Sequence, residues 1–197
     1  MKNIKFAPWI GQNYRNAPLG RRILVLGESH YQWEDNAPIS EWSGLTSAVI
    51  NEQLDGHYKK AFWTHIAVAF LNRLPNLEEK RAFWHSVAFY NYVQESAGIG
   101  ARVRPTEAMF TASAPAFFEV LESLQPEIIV ALGYELWARL PKAQSGDEAV
   151  ETGCGAIQTR VYSYVGGFAH ACSIKHPSSG FNGRHWYPRI MRIVQSS

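Results

Sequence analysis

The run Ile23-Leu24-Val25-Leu26 does most to limit the folds open to this chain. It is apolar at every position, so it lacks the in–out alternation of a strand with one wet face, and it is too short for a buried helix. Such a segment reads as a strand covered on both sides, which belongs in a largely parallel sheet between layers of helices. The pattern recurs. "EIIVALG" (127–133) is a second strand of this kind, and "VAFYNYV" (87–93) is a third, rich in aromatic and β-branched residues. "IQTRVYSYV" and "FAHACSIKH" flank a turn at Gly166-Gly167. Helical patterning fills the intervals at 43–54, 57–73, 77–85, 105–124, "ELWARL" and 183–195. Pro105 opens the fourth of these with Thr106 and Glu107 in its first turn, and interior Pro115 predicts a kink or break. Residues 142–156 read as a polar loop and residues 1–20 as an extended arm. The expectation is one domain spanning 1–197: an α/β fold, a three-layer α/β/α sandwich around a central, mainly parallel sheet of four to five strands.

Sheets of that kind bind ligands beyond the carboxyl ends of their strands. Here the strand ends carry "GESHY" (27–31), "NYVQ" (91–94), "GYE" (133–135) and "KHPSSGF" (175–181), all expected on one edge. In the last, Pro177 stops the ladder. Ser178, Ser179 and Gly180 then shape a loop whose free N–H groups suit a phosphate, with Lys175 or Arg184 adding charge. Phe181 is expected at the tip, where it would wedge between bases, and Asn182 completes the DNA-contacting set. No acid follows Glu151, whereas Arg160, Lys175, Arg184, Arg189 and Arg192 do, so the last 46 residues carry +5 within a net charge of +2. A positive end of that sort suits a polyanion, and equally a solvated basic helix. Seven Trp, nine Tyr and ten Phe are enough to pack a core and also to line a pocket or stack on a planar ligand. Cys154 and Cys172 stand in no ligand-spaced pattern, which argues against a zinc site or an iron–sulfur cluster. No GxxxxGK[ST] or GxGxxG loop occurs. With no signal sequence and no apolar run of membrane-spanning length, the expectation is a cytoplasmic monomer, without membrane contact or cofactor.

Taken in order, these motifs resemble the uracil-DNA glycosylase superfamily. Gly27-Glu28-Ser29-His30-Tyr31 is similar to the family's "GEAPG" or "GQDPY" loop, and His176-Pro177-Ser178 to its terminal His-Pro-Ser. "FYNYVQESAGIGARVRPTEAMF" is similar to the segment in which a strand ends in a base-reading Asn and leads to a Pro-Thr helix start; "LQPEIIVALG" matches the strand that follows. The resemblance covers roughly residues 22–190. It implies an enzyme that flips a nucleotide out of DNA and hydrolyses its N-glycosidic bond, with no metal. By that analogy His176 donates a hydrogen bond to the departing pyrimidine, and Asn91 reads its Watson–Crick edge. Glu28 or His30 positions the water, Glu28 being preferred, and Ser29, Tyr31 and either Trp33 or Trp42 line the base site. The plainer alternatives are that Glu28 pairs with Arg21 or Arg22, that Asn91 satisfies backbone groups, and that His30, His65 and His85 are core or surface histidines.

The departures from the family sharpen the target. Ser29 stands where the uracil-specific branch has an aspartate, and the loop from Gln32 to Trp42 matches neither branch. That loop holds Glu34, Asp35 and Glu41, which accept hydrogen bonds from hydroxyls or amines. The expectation is therefore a modified pyrimidine, in repair or in defence against modified viral DNA. Uracil repair, or a non-catalytic DNA-binding module on the same fold, are the competing readings.

Overall fold

The structure is a computed structural model describing residues 2–32, 42–56, 60–100, 103–143, 147–178 and 180–196. The apolar runs form the middle of the sheet as expected: β2 (Ile23–Gly27), β4 (Ala88–Asn91), β6 (Ile128–Leu132) and β9 (Gly167–Ile174), the first three buried at every position. They lie in the order β4-β2-β6-β9, each parallel to its neighbour. Their carboxyl ends therefore share one edge.

The sheet is wider than four or five strands, and it is mixed rather than mainly parallel. Among the described residues it has seven strands in the order β1-β4-β2-β6-β9-β8-β7, with β1 (Trp9–Ile10), β8 (Ala156–Tyr164) and β7 (Glu148–Glu151) all antiparallel to their neighbours. A tight turn at Gly166-Gly167 can join β8 to β9 only in antiparallel sense. β7 emerges from the stretch read as a polar loop. It is a largely exposed edge strand, so it carries no apolar run for a periodicity argument to detect. A separate parallel pair, β3 (His30–Gln32) with β5 (Ser96–Ile99), was not anticipated either.

Helices cover both faces. α1 (Leu45–Asp55), α2 (Ala61–Leu71), α3 (Leu77–Ser86) and α6 (Gly183–Ser196) bury Ile50, Ile66, Trp84 and Ile190 against Ile23, Val25 and Val130. α4 (Glu107–Leu124) and α5 (Tyr134–Arg139) bury Phe117, Leu121 and Leu136 against Leu24, Leu26 and Ile129. Pro115 does not divide α4. It lies on the exposed face, as does Thr111, whose carbonyl loses its N–H partner to the proline. The N-terminal segment is no loose arm: Phe6 and Tyr14 are fully buried, and the Gln94 side-chain carbonyl accepts from both Lys5 and Phe6 N–H at 2.9 Å. α6 starts close against α2, since a Cβ on Gly183 would stand 2.8 Å from Val68 Cγ1 and 2.9 Å from the Ala69 backbone nitrogen. That contact brings α2 beneath the loop leading out of β9.

Candidate active site

A cavity of about 230 Å³ opens at the shared strand edge, lined by Gly27, Glu28, Ser29, His30, Tyr31, Thr46, Val49, Lys60, Phe62, Trp63, Phe89, Asn91 and His176. It is smaller than the roughly 300–1,000 Å³ of general ligand pockets, a size suited to one ring and its substituents. A wider hollow of about 460 Å³ on the outer face of α4, between Pro115 and Ser123, is shallow and includes none of the strand-end residues.

Two strand ends build the first wall. Gly27 pairs with Asn91, and an added Cβ at Gly27 would fall 2.2 Å from Asn91 Oδ1 and 2.8 Å from Phe89 Cζ, so only glycine admits the amide here. Beyond the paired ends the two chains stay bonded, with Tyr92 N–H donating to Gly27 O and Val93 N–H to Glu28 O, both at 2.9 Å. The Asn91 carbonyl accepts from Gln94 Nε2 at 2.9 Å, and Gln94 is itself held by the N-terminal segment. Asn91 is buried, and no hydrogen bond among the described residues uses its side-chain amide, so that group is not spent on backbone satisfaction.

The opposite wall is His176. β9 ends at Ile174, whose carbonyl accepts from Gly133 N–H at 2.9 Å. Gly133 has φ +117, a conformation that favours glycine, and its missing side chain leaves room for His176 Cβ at 3.4 Å from the would-be Cβ. The imidazole faces the Phe62 ring at 5.4 Å. His176 stays solvent-accessible at the rim, but partial desolvation of its ring and, secondarily, the Arg104 charge push its pKa below the ordinary histidine value, so the neutral ring is favoured at pH 7. From α2, His65 Nδ1 lies 3.2 Å from the Pro177 carbonyl and pins this loop.

Glu28 is not paired with Arg21 or Arg22, both of which engage Glu127. Its carboxylate lies 3.2 Å from Arg104 Nη1 with a side-chain exposure of 11%. Burial raises its pKa above the usual carboxylate range, while Arg104 pulls it back. His30 is buried, its Nε2 3.0 Å from Thr46 Oγ1 and its ring edge-on to Phe6. Desolvation lowers its pKa to about 4, which makes it a poor proton acceptor at neutral pH. The Ser29 hydroxyl is buried without a hydrogen bond of ordinary geometry, though the Tyr31 phenol is close enough to feel it. Tyr31 is partly exposed at the rim, and burial and the Glu28 charge raise its pKa.

Several expectations change. Phe181 is not at a tip: it is 9% exposed, packed in the core beneath the loop and stacked on His65 at 5.9 Å, because the close α2–α6 contact draws it inward. The loop's N–H groups are not all free, since Ser178 N–H donates to His176 O at 2.8 Å and Phe181 N–H to Ser178 O at 3.3 Å. Lys175 Nζ reaches the Gly180 carbonyl at 3.2 Å but stays exposed, as do Asn182 and Arg184. Of the late basic residues, Arg160 pairs with Asp147 and lies over Trp137, and buried Arg189 binds the Cys154 and His185 carbonyls. These two serve the fold, so the basic end is weaker than its sequence implies. Trp42 is 53% exposed and outside the cavity, while Trp33 and Ser179 lie outside the described residues.

Phe62 and Trp63 of α2, which the sequence did not single out for the site, form an aromatic wall of the cavity. Arg104, Thr46 and Lys60 were also missed. "GARVRP" offered the only cue for Arg104, a basic residue just before a helix start. Among the described residues no cluster of three or more His, Cys, Asp or Glu is placed to hold a metal ion, and no helix is long and apolar enough to cross a membrane. In comparisons with known proteins, no protein-family model and no curated protein matches this chain.

Proposed function

We propose that this protein is a monofunctional DNA glycosylase similar to the uracil-DNA glycosylase superfamily, acting on a flipped pyrimidine and leaving an abasic site. The observation that carries the reading is the convergence of Glu28, Asn91 and His176, from three strand ends far apart in sequence, on one cavity of single-base size. Phosphate binding alone needs none of the three.

In this scheme the base enters against Phe62, and the Asn91 amide offers a donor and an acceptor to its Watson–Crick edge. The bond between the sugar C1′ and the base nitrogen breaks, its electron pair leaving with the base. The sugar becomes oxocarbenium-like. A neutral His176 N–H donates to the anionic base, a contact that strengthens as charge develops and so favours the transition state. Water adds to C1′ as Glu28 takes its proton, and the released base recovers a proton from solvent. Glu28 is preferred to His30 for this step because His30 is turned to Thr46 and resists protonation.

The target is a modified pyrimidine. The cavity reaches past the reading set to Thr46, Val49 and Lys60, a partly polar margin for a substituent. A role in repair or in defence against modified viral DNA follows. One observation favours the uracil reading instead: Tyr31 lines the same cavity, and by the family resemblance that position blocks 5-substituted bases. The test is alkali-revealed strand cleavage of DNA carrying uracil, cytosine, 5-hydroxymethylcytosine or its glycosylated form. Preference for uracil by more than about tenfold returns the chain to uracil repair. Tight DNA binding with no abasic sites on any substrate makes it a binding module.

A further inference from the structure

We propose that Arg104 is a positioning residue for Glu28, holding the carboxylate at the cavity wall as one end of a chain of ion pairs that is anchored on α4 and α5. The inference rests on the reading of Glu28 as the water-activating group.

The geometry is specific. Arg104 Nη1 lies 3.2 Å from Glu28 Oε2 and 4.0 Å from Glu135 Oε2. Glu135 is paired in turn with Arg139, whose Nε lies 3.0 Å from Glu107 Oε2. The backbone of Arg104 is also fixed. Pro105 follows it and restrains it to extended conformations, and Thr106 caps α4 by accepting from Met109 N–H at 3.3 Å. A cation anchored at its base and drawn sideways by Glu135 has little freedom to leave Glu28.

Exposed ion pairs are ordinarily worth little. This one is asymmetric: the Arg104 side chain is 62% exposed and the Glu28 side chain 11%. The cation keeps much of its hydration, whereas the carboxylate has lost most of its own and depends on the contact. Among the described residues, Arg104, Glu135 and Arg139 act on the Glu28 charge and Tyr31 feels it, while His30, Lys60 and His176 line the same cavity. Burial and Glu135 favour the protonated acid, while Arg104 and Arg139 favour the carboxylate. Arg104 is the larger of the two opposing charges, so without it Glu28 protonates at higher pH. His176 also feels Arg104 and would become easier to protonate on its removal. Both changes weaken catalysis on the acid side and leave the alkaline side largely intact.

The experiment compares wild type, Arg104→Gln and Arg104→Lys in the full chain. Carbon-detected NMR follows the Glu28 carboxyl through a pH titration, and base release is measured at pH 6 and pH 8.5. In Arg104→Gln the Glu28 titration moves to higher pH, and base release falls by about two- to fivefold at pH 6, the most that one largely exposed partner supplies, and less at pH 8.5. Arg104→Lys restores part of both. A Glu28 titration unmoved in Arg104→Gln overturns the proposal, and a fall in DNA affinity with that titration unmoved assigns Arg104 to phosphate contact instead. The NMR arm needs no substrate, so it decides the role of Arg104 even if no base is released.

Discussion

Whether His30 is structural or catalytic can be decided by a stability measurement. The ring is buried against Phe6 and Thr46, and its pKa of about 4 lies well under the 6.5 expected in the unfolded chain. The unfolded state therefore binds a proton in the window where the folded state refuses one, so stability is full above pH 6.5 and lost as pH falls towards 4. Linkage over that difference costs about 2 kcal/mol at pH 5 and about 3 kcal/mol at pH 4. His30→Gln keeps a nitrogen within reach of Thr46 but cannot titrate. Urea unfolding of both proteins at pH 7.5, 6 and 5 removes the contributions of all other groups, because those cancel in the difference. Stability of the wild type relative to the variant should fall by about 2 kcal/mol from pH 7.5 to pH 5, while base release at pH 7.5 stays near wild type. A difference that does not change with pH, or a His30 ring that titrates between pH 6 and 7 by NMR, refutes the argument. Loss of base release at unchanged stability returns His30 to the role of base.

Gly27→Ala should lower stability by about 1–3 kcal/mol through overpacking against Phe89 and displace the Asn91 amide, with base release falling about 100-fold; thermal melts and single-turnover assays check both, and an unchanged melt would mean the wall is softer than its contacts imply. His176→Ala should cut base release by about 10²–10³-fold with DNA affinity nearly unchanged, and wild-type activity should not fall as pH rises through 6.5, since the neutral ring is the working form. Phe181→Ala should cost about 3–5 kcal/mol in urea unfolding, as for a core aromatic, with no selective loss on duplex over single-stranded DNA. Arg184→Ala should reduce the slope of log affinity against log salt by about one, and an unchanged slope places the DNA on another face.

The strands of the sheet centre and the residues at their ends were legible in the sequence, for a local reason. A strand buried on both faces has to be apolar throughout, and a polar cluster just past it, such as Glu28 or His176, stands at the sheet edge whatever surrounds it. The start of α4 was legible to within two residues, since Pro105 and Thr106 lie just ahead of it and Thr106 serves as the cap rather than in the first turn. Tertiary structure decided everything that depends on which face meets which neighbour. Phe62 sits in an apolar helix and Phe181 in a polar loop, yet α2 presents the first to the cavity, while its close contact with α6 buries the second. Arg160 and Arg104 are both single basic residues; one is consumed by Asp147 and Trp137, the other reaches Glu28 across 76 positions. The exposed edge strand β7 exists only because β8 offers it unpaired backbone groups. Burial pattern and chain punctuation are written along the sequence, but contact partners, and with them the protonation state of Glu28, His30 and His176, arise only when distant segments remove one another's water.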